Sequence, residues 1–189
     1  MLIVGVDLSL TSTGLCAVRA GKIEALHCVR STGTDADTIA QTARRIHELE
    51  RQIFDWIDGD GADLVVLEGP SNNSRFGKPH ERSGLWWRLT DHLVAGGYPI
   101  VVVRPTQRAK YATGSGGSKK PAVWAAVKER YLPLVPESVG KLANHDVGDA
   151  LLLASMASRA YGYPVEPETL SESILDSLGG VQWPTLTAG

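Results

Sequence analysis

Apolar residues come in short runs near the start of the chain and at helical spacing further on. Leu2 to Val6 is a run ended by Asp7 and reads as a buried strand. Thr13 to Val18 and Ile23 to Val29 read as two more, joined by a tight turn at Arg19-Ala20-Gly21-Lys22. Three short strands with local turns predict an antiparallel meander. From Asp37 to Ile57 the period becomes helical, with Ile39, Ala43, Ile46, Ile53 and Ile57 on one side and Arg44, Arg45, Glu48 and Arg51 off it. Gly59-Asp60-Gly61 ends that helix. Leu64 to Leu67 is continuously apolar, as a parallel strand covered on both faces would be.

Glu68 follows this strand at once, and Gly69-Pro70 breaks it. A polar loop leads to a second helix from about Glu81 to Ala95, closed by Gly96-Gly97. Pro99 to Val103 is another strand, and Pro105 to Tyr111 a short helix before the loop Gly114-Ser115-Gly116-Gly117-Ser118. Pro121 suits the first position of a helix reaching Tyr131, Leu132 to Gly140 is a linker, and Asp146 to Tyr161 is the last long helix. Hairpin strands followed by β–α units predict an α/β fold: a mixed five-stranded sheet with helices on both faces. Residues 1–161 are expected to form this domain. The remaining 162–189 form a tail in which Leu170, Ile174 and Leu178 have the spacing of a short docked helix.

The composition, 43% hydrophobic and 21% charged, is that of a globular protein. The first apolar run is too short for a secretion signal, and no run approaches the ~18 apolar residues of a membrane span. The expected location is the cytoplasm, with Cys16 and Cys28 as reduced core residues. No CxxC or HxxxH spacing suggests a structural zinc.

The acids carry the candidate chemistry. Asp7 and Glu68 close two predicted central strands, and ligands of open α/β sheets bind beyond such carboxyl ends. Asp146 and Asp149, three apart, share one face of a helix. Four acids gathered together would repel one another unless cations held them, and hard divalent ions such as Mg²⁺ take carboxylate oxygens. Each acid alone has a plainer role as a turn or helix cap, except that Glu68 behind an apolar strand needs a partner.

The strand ending at Asp7 with its hairpin, Val65-Val66-Leu67-Glu68, the segment Lys110 to Val123 with its glycines and lysines, and His145-Asp146-Val147-Gly148-Asp149 stand in order. In this the chain resembles the RuvC family of Holliday-junction resolvases, within the RNase H-like superfamily, over about residues 1–161. Its size and polar extension resemble phage-encoded members. The resemblance implies an RNase H-like fold, with Asp7, Glu68, Asp146 and Asp149 as catalytic metal ligands for two Mg²⁺ or Mn²⁺ ions and Glu68 between them. It implies phosphate contacts at Lys110 and Lys120, with Lys119 adjacent. It also implies a homodimer that nicks two strands symmetrically. The helix with Leu85, Trp86, Leu89 and Leu93 is the candidate dimer face, with packing on its own sheet an equal alternative for Leu85 and Leu89. Trp86 and Trp87 point about 100° apart, so one is expected to be exposed.

This chain has Leu8-Ser9 where the family usually has Pro-Gly. It also lacks an aromatic directly after the glutamate strand, the nearest ring being Phe76. A broader substrate range is therefore expected, covering Holliday junctions, forks and flaps. The expected reaction is attack of metal-activated water on a phosphodiester, leaving a 5′-phosphate. His145 is a possible auxiliary residue beside the acids. The glycine loop before Lys119-Lys120-Pro121 does not meet the phosphate-loop pattern. Three rivals stand: an RNase H-like nuclease on RNA–DNA hybrids or structured RNA, a non-catalytic branched-DNA binder, and an actin-like nucleotide-binding domain. The last requires two such domains, more than 189 residues are expected to hold.

Charge sharpens the choice. The 19 Lys and Arg against 21 Asp and Glu give −2, which by itself speaks against nucleic acid. Residues 161–189, however, carry Glu166, Glu168, Glu172 and Asp176 with no Lys or Arg. Residues 75–130 hold eleven basic side chains against Glu81, Asp91 and Glu129, a net of +8. Arg75, Arg108, Lys110, Lys119 and Lys120 are the cations expected to meet a DNA backbone.

Overall fold

Five strands form one sheet in the order β3-β2-β1-β4-β5. They are β1 (Leu2–Asp7), β2 (Ser12–Arg19), β3 (Lys22–Arg30), β4 (Leu64–Glu68) and β5 (Ile100–Val103). The computed structural model describes residues 1–70 and 78–186. The β1–β2 and β2–β3 pairs are antiparallel, as the expected meander requires, and β1–β4 and β4–β5 are parallel. Ala20 and Gly21, both at positive φ, make the turn between β2 and β3.

Helices cover both faces. On one lie α1 (Ile39–Asp60) and α2 (Pro79–Ala95). There Leu49, Ile53, Ile57, Leu85, Leu89 and Leu93 pack on Leu2, Val4, Val6, Val65 and Leu67. The other face carries α3 (Pro105–Thr113), α4 (Lys120–Tyr131) and α5 (His145–Ala160). These pack on Ile3, Cys16, Val18, Leu64, Val66 and Val101. Among the described residues no helix is long and apolar enough to cross a membrane. Cys16 is buried and Cys28 half-buried; both are free thiols, paired in register with Leu26 and Gly14 respectively.

Two expectations about α1 need correction. The first helix begins later than its apolar periodicity suggests, at Ile39. Asp37 is engaged by the Thr34 amide at 3.0 Å, so Thr38 becomes the cap, in a capping box with Gln41. Ile39 is consequently 86% exposed and Ala43 is also exposed, so the buried stripe starts only near Ile46. Of the two readings of α2, packing on its own sheet holds for the leucines: Leu85, Leu89 and Leu93 belong to this chain's own core. Of that helix, Trp87 (66% exposed) and Val94 face outward, while Trp86 turns in and donates to the Glu68 carbonyl at 3.1 Å.

The segment after α5 packs onto the same core. Val165, Leu170, Ile174 and Val181 join the cluster that holds Ile3 and Leu151, and a short helix α6 (Glu172–Leu175) runs into a 3₁₀ turn at Asp176–Leu178. Glu166 is buried, accepting from the Tyr111 hydroxyl at 2.8 Å, from the Tyr131 hydroxyl and from Arg159 Nη2 at 2.9 Å.

What fixes α5 against the sheet is the absence of side chains at two positions. A Cβ on Gly5 would lie 2.1 Å from the Ala150 carbonyl oxygen, and one on Gly14 only 2.0 Å from that of Asp146. Gly14 pairs in register with Asp7, so this close approach brings the start of α5 to the end of β1. Backbone cannot move aside cheaply, so Gly14→Ala is expected to cost at least about 1–3 kcal/mol. Gly59→Ala, with open space around it inside α1, should instead gain up to about 1 kcal/mol. Urea unfolding of the two variants checks the contrast; an unchanged midpoint for Gly14→Ala would contradict the packing.

Candidate active site

Parallel pairing of β1 and β4 puts Val6 beside Leu67, so Asp7 and Glu68 leave the sheet at the same edge. Asp146 and Asp149 come to that edge on the first turns of α5. Asn144 caps this helix by accepting from the Val147 amide at 2.9 Å, which leaves the Asp146 carboxylate free for other work. The four acids expected from the sequence thus converge, although 139 positions separate the first from Asp146.

Their partners differ. Ser12, at the start of β2, donates its hydroxyl to Asp146 Oδ2 at 2.5 Å. Arg108 of α3 donates from Nε to Glu68 Oε1 at 2.5 Å and pairs through Nη1 with Asp149 Oδ1. Among the described residues nothing donates to the Asp7 carboxylate. Burial and then the charges of Glu68 and Asp149 hold the Asp7 pKa well above the ordinary value. Asp149 is pushed up to about 6, chiefly by burial; the nearby Arg108 pulls the other way without winning. Desolvation decides over the ion pair here.

A cavity of about 150 Å³ opens beside this cluster, lined by Arg108, Lys120, His145 and Asp149 with Gly116 and Ser118. A second, of about 140 Å³, lies on the other side of Glu68 against Leu8, Arg82 and Trp86. His145 is exposed, with its ring 4.9 Å from that of Trp124. Lys119 and Lys120 are exposed at the start of α4, and Lys110 lies half-buried, 3.5 Å from Asp176 of the tail. Arg75 and Phe76 lie outside the described residues.

Arg108, expected among the cations facing DNA, is turned into the acids and only 8% exposed. The signal was present in the sequence: two residues along a helix is a turn of about 200°, so Arg108 and Lys110 must face opposite ways. Ser12 carried no comparable signal.

The donor set, four carboxylates gathered close enough to raise the Asp7 pKa beyond the effect of burial alone, fits a hard divalent cation. Among the described residues no three His, Cys, Asp or Glu side chains are yet spaced to surround an ion. Arg108 engages Glu68 and Asp149, and Ser12 engages Asp146.

No protein-family model matches the sequence, and neither does any curated protein. Solved structures do. The chain superposes on Thermus thermophilus RuvC with a TM-score of 0.66 at 16% identity, over 89% of this chain and 100% of that one. The fowlpox virus resolvase, solved with its Holliday junction substrate, gives 0.57 at 14%, over 86% and 99%. The yeast mitochondrial Holliday junction resolvase gives 0.55 at 15%, over 80% and 75%. The chain has the fold of RuvC, an α/β RNase H-like fold built on a mixed five-stranded sheet, as the sequence predicted.

Proposed function

We propose that the chain is a divalent-metal-dependent, structure-selective DNA endonuclease acting on Holliday junctions and other branched DNA. The observation that carries this reading is the meeting of Asp7, Glu68, Asp146 and Asp149 at one sheet edge, beside a cavity walled by Lys120 and Arg108. Proteins that share the fold, among them the fowlpox virus resolvase, act on Holliday junctions.

The four carboxylates would hold Mg²⁺ or Mn²⁺. When bound, such a cation polarises the phosphodiester and makes water nucleophilic near neutral pH. The chain's own groups do the rest. Ser12 keeps one Asp146 oxygen fixed, and Trp86 pins the Glu68 backbone through its carbonyl. Lys119 and Lys120 stand exposed where a strand entering the cavity would bring its phosphates. Lys110 can exchange Asp176 for a phosphate at little cost, because an exposed ion pair is worth only about 0–1 kcal/mol. A homodimer would present two such sites to a two-fold symmetric junction. Of α2, Trp87 and Val94 rather than the leucines are available to that contact.

The decisive assay offers a four-way junction, a fork, a flap, a linear duplex and an RNA–DNA hybrid at matched salt, with and without Mg²⁺. Cleavage is expected for the branched DNAs in Mg²⁺ alone, with binding that falls steeply as salt rises. Preferential cleavage of the hybrid would transfer the reading to an RNase H-like activity. Tight junction binding without cleavage under any divalent ion would make the chain a binding protein.

A further inference from the structure

Arg108 is the feature that the proposed mechanism does not absorb. A guanidinium buried between two of the four acids is not a surface contact for DNA. Its Nε occupies Glu68 Oε1 at 2.5 Å, and its Nη1 occupies Asp149 Oδ1. One Glu68 oxygen is therefore already taken by the guanidinium. Asp149 is likewise half committed. Asp7, by contrast, has no donor among the described residues, although it lies near enough to feel the guanidinium's charge.

The helix that carries Arg108 is held from behind. Arg130 donates to the carbonyls of Tyr111 and Ala112 at 3.1 Å each, and the Tyr111 hydroxyl is bound to buried Glu166. The backbone of α3 therefore has no freedom to withdraw the side chain. Only the side chain itself can swing, and the cavity of about 150 Å³ that it lines gives it room beside Lys120.

We infer that Arg108 is a built-in counter-ion that holds the place of one divalent ion, so that the DNA-free chain takes up a single ion, on the Asp7 side. The second position, between Glu68 and Asp149, opens only when the guanidinium leaves. A phosphate is the natural competitor for it, since a guanidinium binds phosphate through two parallel hydrogen bonds as readily as it binds carboxylate. Substrate binding would then exchange a protein–protein ion pair for a protein–phosphate one and expose the vacated oxygens. Full metal loading becomes dependent on the DNA. Arg108 on this account acts first through the acids and then, once released, on a phosphate of the substrate. The inference rests on the four-acid reading of the site.

The test counts Mn²⁺ bound to the full chain without DNA, by titration calorimetry and by the electron paramagnetic resonance of the free ion. Wild-type protein is expected to bind one Mn²⁺ per chain. Arg108→Gln, which frees an oxygen on each of two acids and removes a positive charge, should bind two, with the first tightened about tenfold or more. Arg108→Lys keeps the charge without the fork and should fall between them. Two ions on wild-type protein, or identical titrations for wild type and Arg108→Gln, would overturn the inference. Should Arg108→Gln fail to fold, the wild-type count and the lysine variant still decide. No Mn²⁺ binding to any variant would sink the four-acid reading along with it. Two ions on a wild-type protein that cleaves junctions would sink the counter-ion role alone.

Discussion

Asp7→Asn is expected to lower junction cleavage by at least about 10²–10³-fold while leaving junction affinity within a few-fold of wild type. The asymmetry follows from where the two functions reside. Asp7 sits half-buried at the end of β1, and among the described residues it is the acid that no donor satisfies. An amide is nearly isosteric with the carboxylate, so the packing of Gly14 against α5 is untouched. It cannot, however, supply an anionic oxygen to a cation. The groups expected to carry DNA affinity, Lys119 and Lys120, are exposed at the start of α4 and do not depend on Asp7. Removing one of four clustered acids also relieves repulsion that burial makes expensive, so the metal-free variant should melt at or above the wild-type temperature. Gel-shift binding, cleavage rates and thermal melts on one preparation test all three statements. Full cleavage by Asp7→Asn would end the four-acid reading.

Ending the chain after Gly162 is expected to abolish cooperative folding. The loss would include Val165, Leu170, Ile174 and Val181, all buried in the core shared with the sheet. At about 1.5–3 kcal/mol for each buried aliphatic side chain, an upper range because unfolded chains are themselves partly compact, the sum rivals a typical total stability of about 5–15 kcal/mol. The polar loss adds to it. Without Glu166, the hydroxyls of buried Tyr111 and Tyr131 and the Arg159 guanidinium lose their shared partner. Stranding a buried polar group costs roughly 1–3 kcal/mol apiece. Far-UV circular dichroism and urea unfolding of the truncated chain provide the readout. A sigmoidal transition at the full-length midpoint would show that the segment is dispensable. The milder Glu166→Gln keeps the shape and should shift the midpoint without abolishing the transition.

The segment illustrates what sequence reading could and could not reach. Of its four acids, counted from the sequence only for their charge, three are exposed. Glu166 is the exception, and no local pattern distinguishes it from Glu168 two positions on. Its burial depends on two tyrosines 55 and 35 positions earlier in the chain. The first helix failed in the opposite direction. Periodicity carried the apolar stripe back to Ile39, yet Thr38 and Gln41 form a capping box whose residues were in plain view. The helix start was legible, and the burial of its first turn was not.

Order and type of the elements were determined by the sequence alone, because alternation, helical spacing and Gly/Pro punctuation act between near neighbours. Asp7 at the end of one apolar run and Glu68 at the end of another, with Asp146 and Asp149 one turn apart on a helix, follow from those same short-range rules. Tertiary structure decided which charge meets which. Opposite charges attract whatever their separation along the chain, and the strength depends on distance and burial in space. Arg108, counted from the sequence with the cations that meet DNA, reaches Glu68 forty positions earlier and Asp149 beyond it. Only the packing of α3 between the sheet edge and the last segment of the chain could place it there.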